Sequence, residues 1–301
     1  MLYNIRHVTR FEYARAVGFA RNNLRLQPII WSGQDVESYS LTIEPHGRIH
    51  PARAEAGLAN VMRLVVEAPA KTLTITSTAR VRVDRPIPFP KPSDPTIAEI
   101  AALARISRDA SPASPASYIF PSPLIPLDAD IAQWCAIDLD PNRGILDAAF
   151  ALASRIMREF DFDTEATMVD TPPREAFDKR GGVCQDFAQI MISGMRSAGL
   201  PAAYVSGYLR TLPPPGQPRL VGADATHAWV LVWAGAALGW VGVDPTNGIW
   251  MAEDHIVVAI GRDYSDIAPV DGVVLGSGAQ KMHVSVDVEP LPQNGLTEAV
   301  S

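Results

Sequence analysis

Gly181-Gly182-Val183-Cys184-Gln185-Asp186-Phe187 is followed along the chain by Thr226-His227-Ala228-Trp229 and then by Val243-Asp244-Pro245-Thr246. A thiol, an imidazole and a carboxylate thus occur in that order, each at the edge of a different predicted element. Beyond Cys184, the residues Phe187, Ile190, Met191, Gly194, Met195 and Ala198 recur at three- and four-residue steps, the stripe of an amphipathic helix packed on a core. Gly199 and Pro201 supply its stop. Cys184 therefore falls in the first helical turn, where unpaired backbone N–H groups and the helix dipole favour negative charge. A cysteine that attacks as thiolate needs such surroundings, together with an imidazolium. Gly181 and Gly182 let the backbone turn tightly and leave room for a substrate chain.

After this helix the period shortens toward two. Ala203-Tyr204-Val205-Ser206-Gly207-Tyr208-Leu209, Ala228-Trp229-Val230-Leu231-Val232-Trp233 and Gly239-Trp240-Val241-Gly242-Val243 read as strands. The proline-rich residues 213–218 between the first two read as a surface loop. His227 starts one strand and Asp244 ends the next, so antiparallel pairing sets them side by side. Asp244 then accepts the proton of one ring nitrogen and fixes the tautomer, while the other nitrogen faces Cys184. The Cys184 amide is the expected backbone donor to an oxyanion. Gly182, Asp186, Tyr208 and Trp229 are the candidate substrate-contacting residues. Each residue also has a plain structural reading: a small buried thiol, a hydrogen-bonded histidine, a turn aspartate, a helix-start carboxylate and core aromatics on strands.

The blocks GVCQDFA (182–188), AGLPAAYVSGYL (198–209), DATHAWV (224–230) and GWVGVDPTNG (239–248) together resemble the transglutaminase-like superfamily, in its bacterial branch of transglutaminase-like cysteine proteases. Ile260-Gly261-Arg262-Asp263-Tyr264-Ser265-Asp266 and the Tyr3-x-Ile5-x-His7 pattern extend the likeness over most of the chain. The resemblance implies an α+β fold with a papain-like or transglutaminase-like catalytic core, a Cys-bearing helix packed on an antiparallel sheet, preceded by a small antiparallel β domain. It implies Cys184 as nucleophile, His227 as general base and acid, and Asp244 as the orienting residue. The activity implied is acyl transfer from peptide or protein substrates, with hydrolysis of a peptide or amide bond ahead of transamidation of glutamine. Animal transglutaminases add an upstream tryptophan at the oxyanion; the nearest upstream tryptophan here is Trp134. Two rival readings are an arylamine N-acetyltransferase, which uses the same three residue types, and a non-catalytic peptide-binding module on the same fold.

Composition agrees with such an enzyme. A net charge of −7, a pI near 5.4 and no run of Lys or Arg argue against a nucleic-acid or anionic-membrane partner. Two cysteines do not make a disulfide framework, and Cys135, without a glycine turn or polar neighbour, reads as structural. The first residues alternate like a strand and lack the apolar core of a secretory signal, and no apolar run is long enough to cross a membrane, so a cytoplasmic location is the default. No cofactor or metal is expected. Asp138-Leu139-Asp140-Pro141-Asn142 has Arg143 and Ala149 where a calcium loop needs glycine and glutamate. His46 and His50 are separated by Gly47 and preceded by Pro45, against a zinc pair on one helical face.

Three regions are expected: residues 1–84 as a β-rich N-terminal domain, 85–126 as a proline-rich linker with a short helix near 97–106, and 127–301 as the catalytic domain with a C-terminal extension. Helices are expected at 130–136 and 145–159, loops past Asn247, and a closing strand at 282–288. No internal repeat is apparent.

Overall fold

The computed structural model describes residues 1–211, 225–276 and 278–292, and the loop expected at 213–218 lies outside them. Six strands come first: β1 (Leu2–Val17), β2 (Phe19–Gln27), β3 (Gln34–Glu44), β4 (Arg48–Ala52), β5 (Leu58–Val66) and β6 (Ala70–Val83). Their side chains alternate between faces. In β6, Leu73, Ile75, Ser77, Ala79, Val81 and Val83 are buried, while Thr78, Arg80 and Arg82 between them are exposed.

The middle of the chain is helical, with α1 (Ile97–Arg105), α2 (Ala129–Cys135), α3 (Ile145–Glu159), the short strand β7 (Asp161–Phe162), α4 (Pro173–Lys179), the short strand β8 (Gly181–Gly182) and α5 (Cys184–Ser197). α1 starts where Thr96 and Glu99 bond each other's backbone amides. The last third contains β9 (Ala202–Leu209), β10 (Ala225–Trp233), β11 (Trp240–Asp244), β12 (Ile249–Trp250), β13 (His255–Gly261), α6 (Tyr264–Ile267), β14 (Val270–Leu275) and β15 (Gln280–Leu291).

The fold is α+β, and α5 lies against β9 and β10 of a large antiparallel sheet. That sheet runs β12-β11-β10-β9-β13-β5-β2-β14, with β4 added on β5, so strands from both ends of the chain share it. A second sheet runs β15-β1-β6-β3. β15 pairs with β1 from Leu2 opposite Leu291 to Tyr13 opposite Gln280, so the C-terminal segment completes the N-terminal sheet. β9 is buried from Ala202 to Tyr208 because it has a core on each face. Ala202 and Tyr204 meet the α5 residues Phe187, Ile190 and Met191. Ala203 and Val205 pack with Trp229 and Leu231, and Tyr208 packs with Tyr3, Ile5, Val81 and Val288.

Three sequence expectations are corrected by this packing. The stretch past Asn247 is not mainly loop: β13 is a central strand buried at every position, and β14 pairs with β2. An all-apolar strand shows no alternation to read. α5 is not buried on one face alone, since every residue from Gln185 to Arg196 is buried. Its polar side is covered by residues 118–126 and by β9 and β13: Ser193 Oγ donates to the Pro126 carbonyl at 2.8 Å, and Arg196 donates to the carbonyls of Tyr118, Ala202 and, just past β13, Arg262. Residues 85–126 therefore do not hang as a spacer, and Arg85 at their start is clamped to the carbonyls of Ala252 and His255.

Gly207 marks how close this packing is. A Cβ there would lie 2.2 Å from the Ile256 carbonyl oxygen and 2.4 Å from the Trp229 indole. Gly207→Ala is expected to lower the unfolding free energy by about 1–3 kcal/mol, measured by urea titration, because neither backbone nor a packed indole yields readily.

Candidate active site

The site is built around the first turn of α5. β8 runs parallel to β7, with Gly181 opposite Asp161 and Gly182 opposite Phe162, and the Asp163 amide donates to the Gly182 carbonyl at 2.9 Å. Val183 takes the cap position with extended backbone, and its N–H donates to Asp186 Oδ2 at 2.8 Å. This is the carboxylate half of a capping box, three residues into the helix. Thr167 Oγ1 donates to the same oxygen at 2.6 Å. A Cβ on Gly182 would stand 2.6 Å from Asp186 Oδ2, so this cap geometry requires glycine there. Gln185 Nε2 donates to the Val169 carbonyl at 2.7 Å, tying the 163–172 segment to the helix start. Cys184 is thereby the first helical residue, half-buried and reduced.

β10 and β11 pair antiparallel as far as Val230 opposite Val243, so His227 and Asp244 lie at the same end of the pair. His227 Nε2–H donates to Asp244 Oδ2 at 2.8 Å. With Nε2 so engaged, Nδ1 is the ring nitrogen left for the Cys184 thiol, whose interaction favours the charged ring. The structure thus brings the Cys184 thiol beside the His227 ring and that ring against Asp244. Burial disfavours charge on His227, but the hydrogen bonds and charges of Asp244 and Cys184 outweigh it and lift the imidazole to about 10.

Asp244 is fully buried yet well provided with donors. Its Oδ1 accepts the amides of Thr246 at 2.9 Å and Asn247 at 3.2 Å, and its Oδ2 accepts Asn247 Nδ2 at 2.7 Å. Burial alone would raise this carboxyl, but the bonds from His227 and His255 hold it well below the usual carboxylate range. His255, 3.3 Å from Oδ2 through Nε2, was not among the residues singled out from sequence. Its signal is an Asp-His pair immediately before the unbroken run Ile256-Val257-Val258-Ala259-Ile260. Among the described residues, His227, Asp244 and His255 are the one group presenting three metal-type ligand atoms, all within 4.8 Å of one another. The N–H donors of Thr246 and Asn247 converge on the same carboxylate, so hydrogen bonds of the protein add to the imidazole in stabilising the anion.

The expected substrate-contacting residues are corrected. Asp186 is buried and caps α5; Gly182 is buried beneath it. Tyr208 is buried with its hydroxyl 3.0 Å from His7 Nδ1, and Trp229 is buried with Nε1–H on Met251 Sδ. Tyr208 and Trp229 are buried because β9 and β10 face cores on both sides, where an isolated strand pattern suggests an open face. Trp134 is likewise engaged elsewhere: Arg155 lies 3.7 Å over its ring and its Nε1–H donates to Glu159. Cys135 is fully buried, and burial pushes its thiol up to about 12, as suits a structural residue.

Two family models match the chain: the bacterial transglutaminase-like N-terminal region over residues 3–82, and the transglutaminase-like superfamily over residues 136–245, which contains all three members of the site. The chain belongs to the transglutaminase-like superfamily. An uncharacterized protein of Mycobacterium tuberculosis is 35% identical over 299 residues, covering 98% of this chain and 94% of that protein. A protein-glutamine gamma-glutamyltransferase of Pseudomonas aeruginosa is 36% identical over 104 residues, 32% of this chain and 15% of that protein. Among solved structures, a candidate cysteine protease from Cytophaga hutchinsonii superposes with a TM-score of 0.76 at 19% identity, covering 97% of this chain and 92% of that one. That likeness extends the shared fold to the whole superfamily member, N-terminal β region included. Among the described residues no helix is long and apolar enough to cross a membrane.

The raised His227 value has a measurable consequence. An imidazole whose folded pKa exceeds its unfolded one, about 6.5, stabilises the protein fully below that pH and loses the contribution as pH rises through about 10. In an NMR titration the His227 ring is expected to keep both protons through pH 8, and Asp244→Asn to bring its titration down toward the ordinary range.

Proposed function

We propose that the protein is a thiol-dependent acyl-transfer enzyme in which Cys184, His227 and Asp244 hydrolyse a peptide or amide bond. The observation that carries this reading is the alignment of the thiol on the first turn of α5, the His227 ring whose charge it favours, and the buried Asp244 bonded to that ring. The Cys184 thiolate attacks the carbonyl carbon, and the oxyanion that forms is met by the Cys184 amide at the helix start. His227 gives its Nδ1 proton to the leaving amine nitrogen as the C–N bond breaks, which leaves a thioester. Water then attacks the thioester, His227 takes the water's proton, and the C–S bond breaks to release the acid and the thiolate. Asp244 holds the ring in one orientation throughout.

A second reading differs in the last step alone. A primary amine in place of water makes a new amide, and the glutamyltransferase named above, which shares 104 aligned residues with this chain, favours keeping it. The N-terminal β region is then a candidate for substrate restriction.

The activated pair is tested with iodoacetamide. At pH 6 wild-type Cys184 is expected to alkylate at least tenfold faster than a model thiol, with the advantage lost in His227→Ala. Cys135 does not compete, being buried and unionised. A Cys184 no faster than the model thiol would leave the non-catalytic peptide-binding reading in possession. Wild type and Cys184→Ala incubated with a peptide library, with and without an added primary amine, then separate the two acceptors: new peptide termini mark hydrolysis, and amine-labelled glutamine marks transamidation.

A further inference from the structure

The site contains a second imidazole that the proposed chemistry does not use. His255 opens β13 and is 1% exposed. Its Nδ1 accepts the Ala252 amide at 3.3 Å, which leaves the proton of a neutral ring on Nε2, the atom 3.3 Å from Asp244 Oδ2. The ring is held on several sides. The Trp229 indole meets it edge to face at 5.2 Å between centroids, and the same indole stacks beside His227 at 6.0 Å. Arg85 Nη1 donates to the carbonyls of both Ala252 and His255, at 3.1 and 3.0 Å, and so fixes the turn that carries the Nδ1 donor. The charged groups acting on His255 are Asp244, His227 and Arg85. With a cation already on each flank, a second imidazolium here is disfavoured.

We propose that His255 is a positioning residue of this site: a neutral Nε2–H donor that fixes Asp244 Oδ2 in the orientation where it meets His227. The inference rests on the proposed roles of Cys184, His227 and Asp244. Asn247 and Thr246 anchor the carboxylate from its own turn, but His255 is the donor that reaches it from β13 and opposes its rotation away from β10. A carboxylate that drifts no longer holds the proton on His227, and the thiolate loses its partner.

The test compares His255→Phe, which keeps a ring against Trp229 but has no donor, with His255→Gln, whose side-chain nitrogen reaches the place of Nε2. The readout is the rate of Cys184 alkylation by iodoacetamide between pH 6 and 10. His255→Phe is expected to be about tenfold slower than wild type at pH 6, as for the loss of a hydrogen bond to a charged group, with the deficit closing above about pH 9, where a thiol ionises unaided. His255→Gln is expected to recover most of the wild-type rate. Equal rates for His255→Phe and wild type at pH 6 would overturn the proposal. So would an equal loss in both variants, or a deficit of the same size at every pH, either of which marks a packing role. Nitrogen-15 NMR of the wild type supplies a check that needs no variant: the Nε2–H tautomer of His255 is expected, and an Nδ1–H tautomer refutes the donor role outright. Failure of the parent reading looks different, since wild-type Cys184 itself would then show no advantage over a model thiol.

Discussion

A carboxylate removed from water is one of the least favourable things a fold contains unless donors replace the lost hydration. Asp244 is fully buried and has them: two backbone amides and a side-chain amide from the turn that follows it, and an imidazole from each of two other strands. The bonds tie β11 to its neighbour β10 and, beyond β9, to β13. Because β9 lies between β10 and β13 in the sheet, the charge bridges strands that are not hydrogen-bonded to each other. The register of the catalytic end of the sheet and the ionisation of one side chain are therefore the same constraint seen from two sides.

The thiol is held by a different device. α5 is buried over nearly its whole length, so its position is set by packing on β9 and β10, by α2 and α4, and by the cover of residues 118–126 over Ser193 and Arg196. Only its first turn is left to chemistry. There Asp186 caps the helix from inside by accepting the Val183 amide. A nucleophile on the first turn of a packed helix meets a base near the start of a paired strand.

The parts of this arrangement that were legible in the sequence are those with local signals. Glycines before Cys184, the three-to-four step after it, and His227 and Asp244 at opposite ends of strand-like runs all act within a few residues of themselves. Long-range partners left no such mark. β15 pairs with β1 across almost the entire chain length, and nothing in either segment names the other. β13 escaped notice because burial on both faces erases alternation, and His255 escaped with it. Tyr208 and Trp229 misled for the same reason: a strand between two cores has no open face, so its aromatics line no cleft. Arg85 and residues 118–126 looked like spacer because proline was counted and the carbonyls they cover were not visible.

Two histidines share one carboxylate oxygen, and what each can do is decided by its other nitrogen. The remaining nitrogen of His227 faces the Cys184 thiol, a group able to give up a proton and keep the charge, and the ring is lifted far above its ordinary value. The remaining nitrogen of His255 accepts a backbone amide, which has no proton to exchange, and burial pushes that ring down. The pair is thus split into a proton carrier and a fixed donor without any difference in residue type. If both rings were protonated, buried Asp244 would face two cations, and the second would gain less than its desolvation takes away. The neutral state of His255 is therefore a condition for the charged state of His227, and the Ala252 amide, held in place by Arg85, is what secures it.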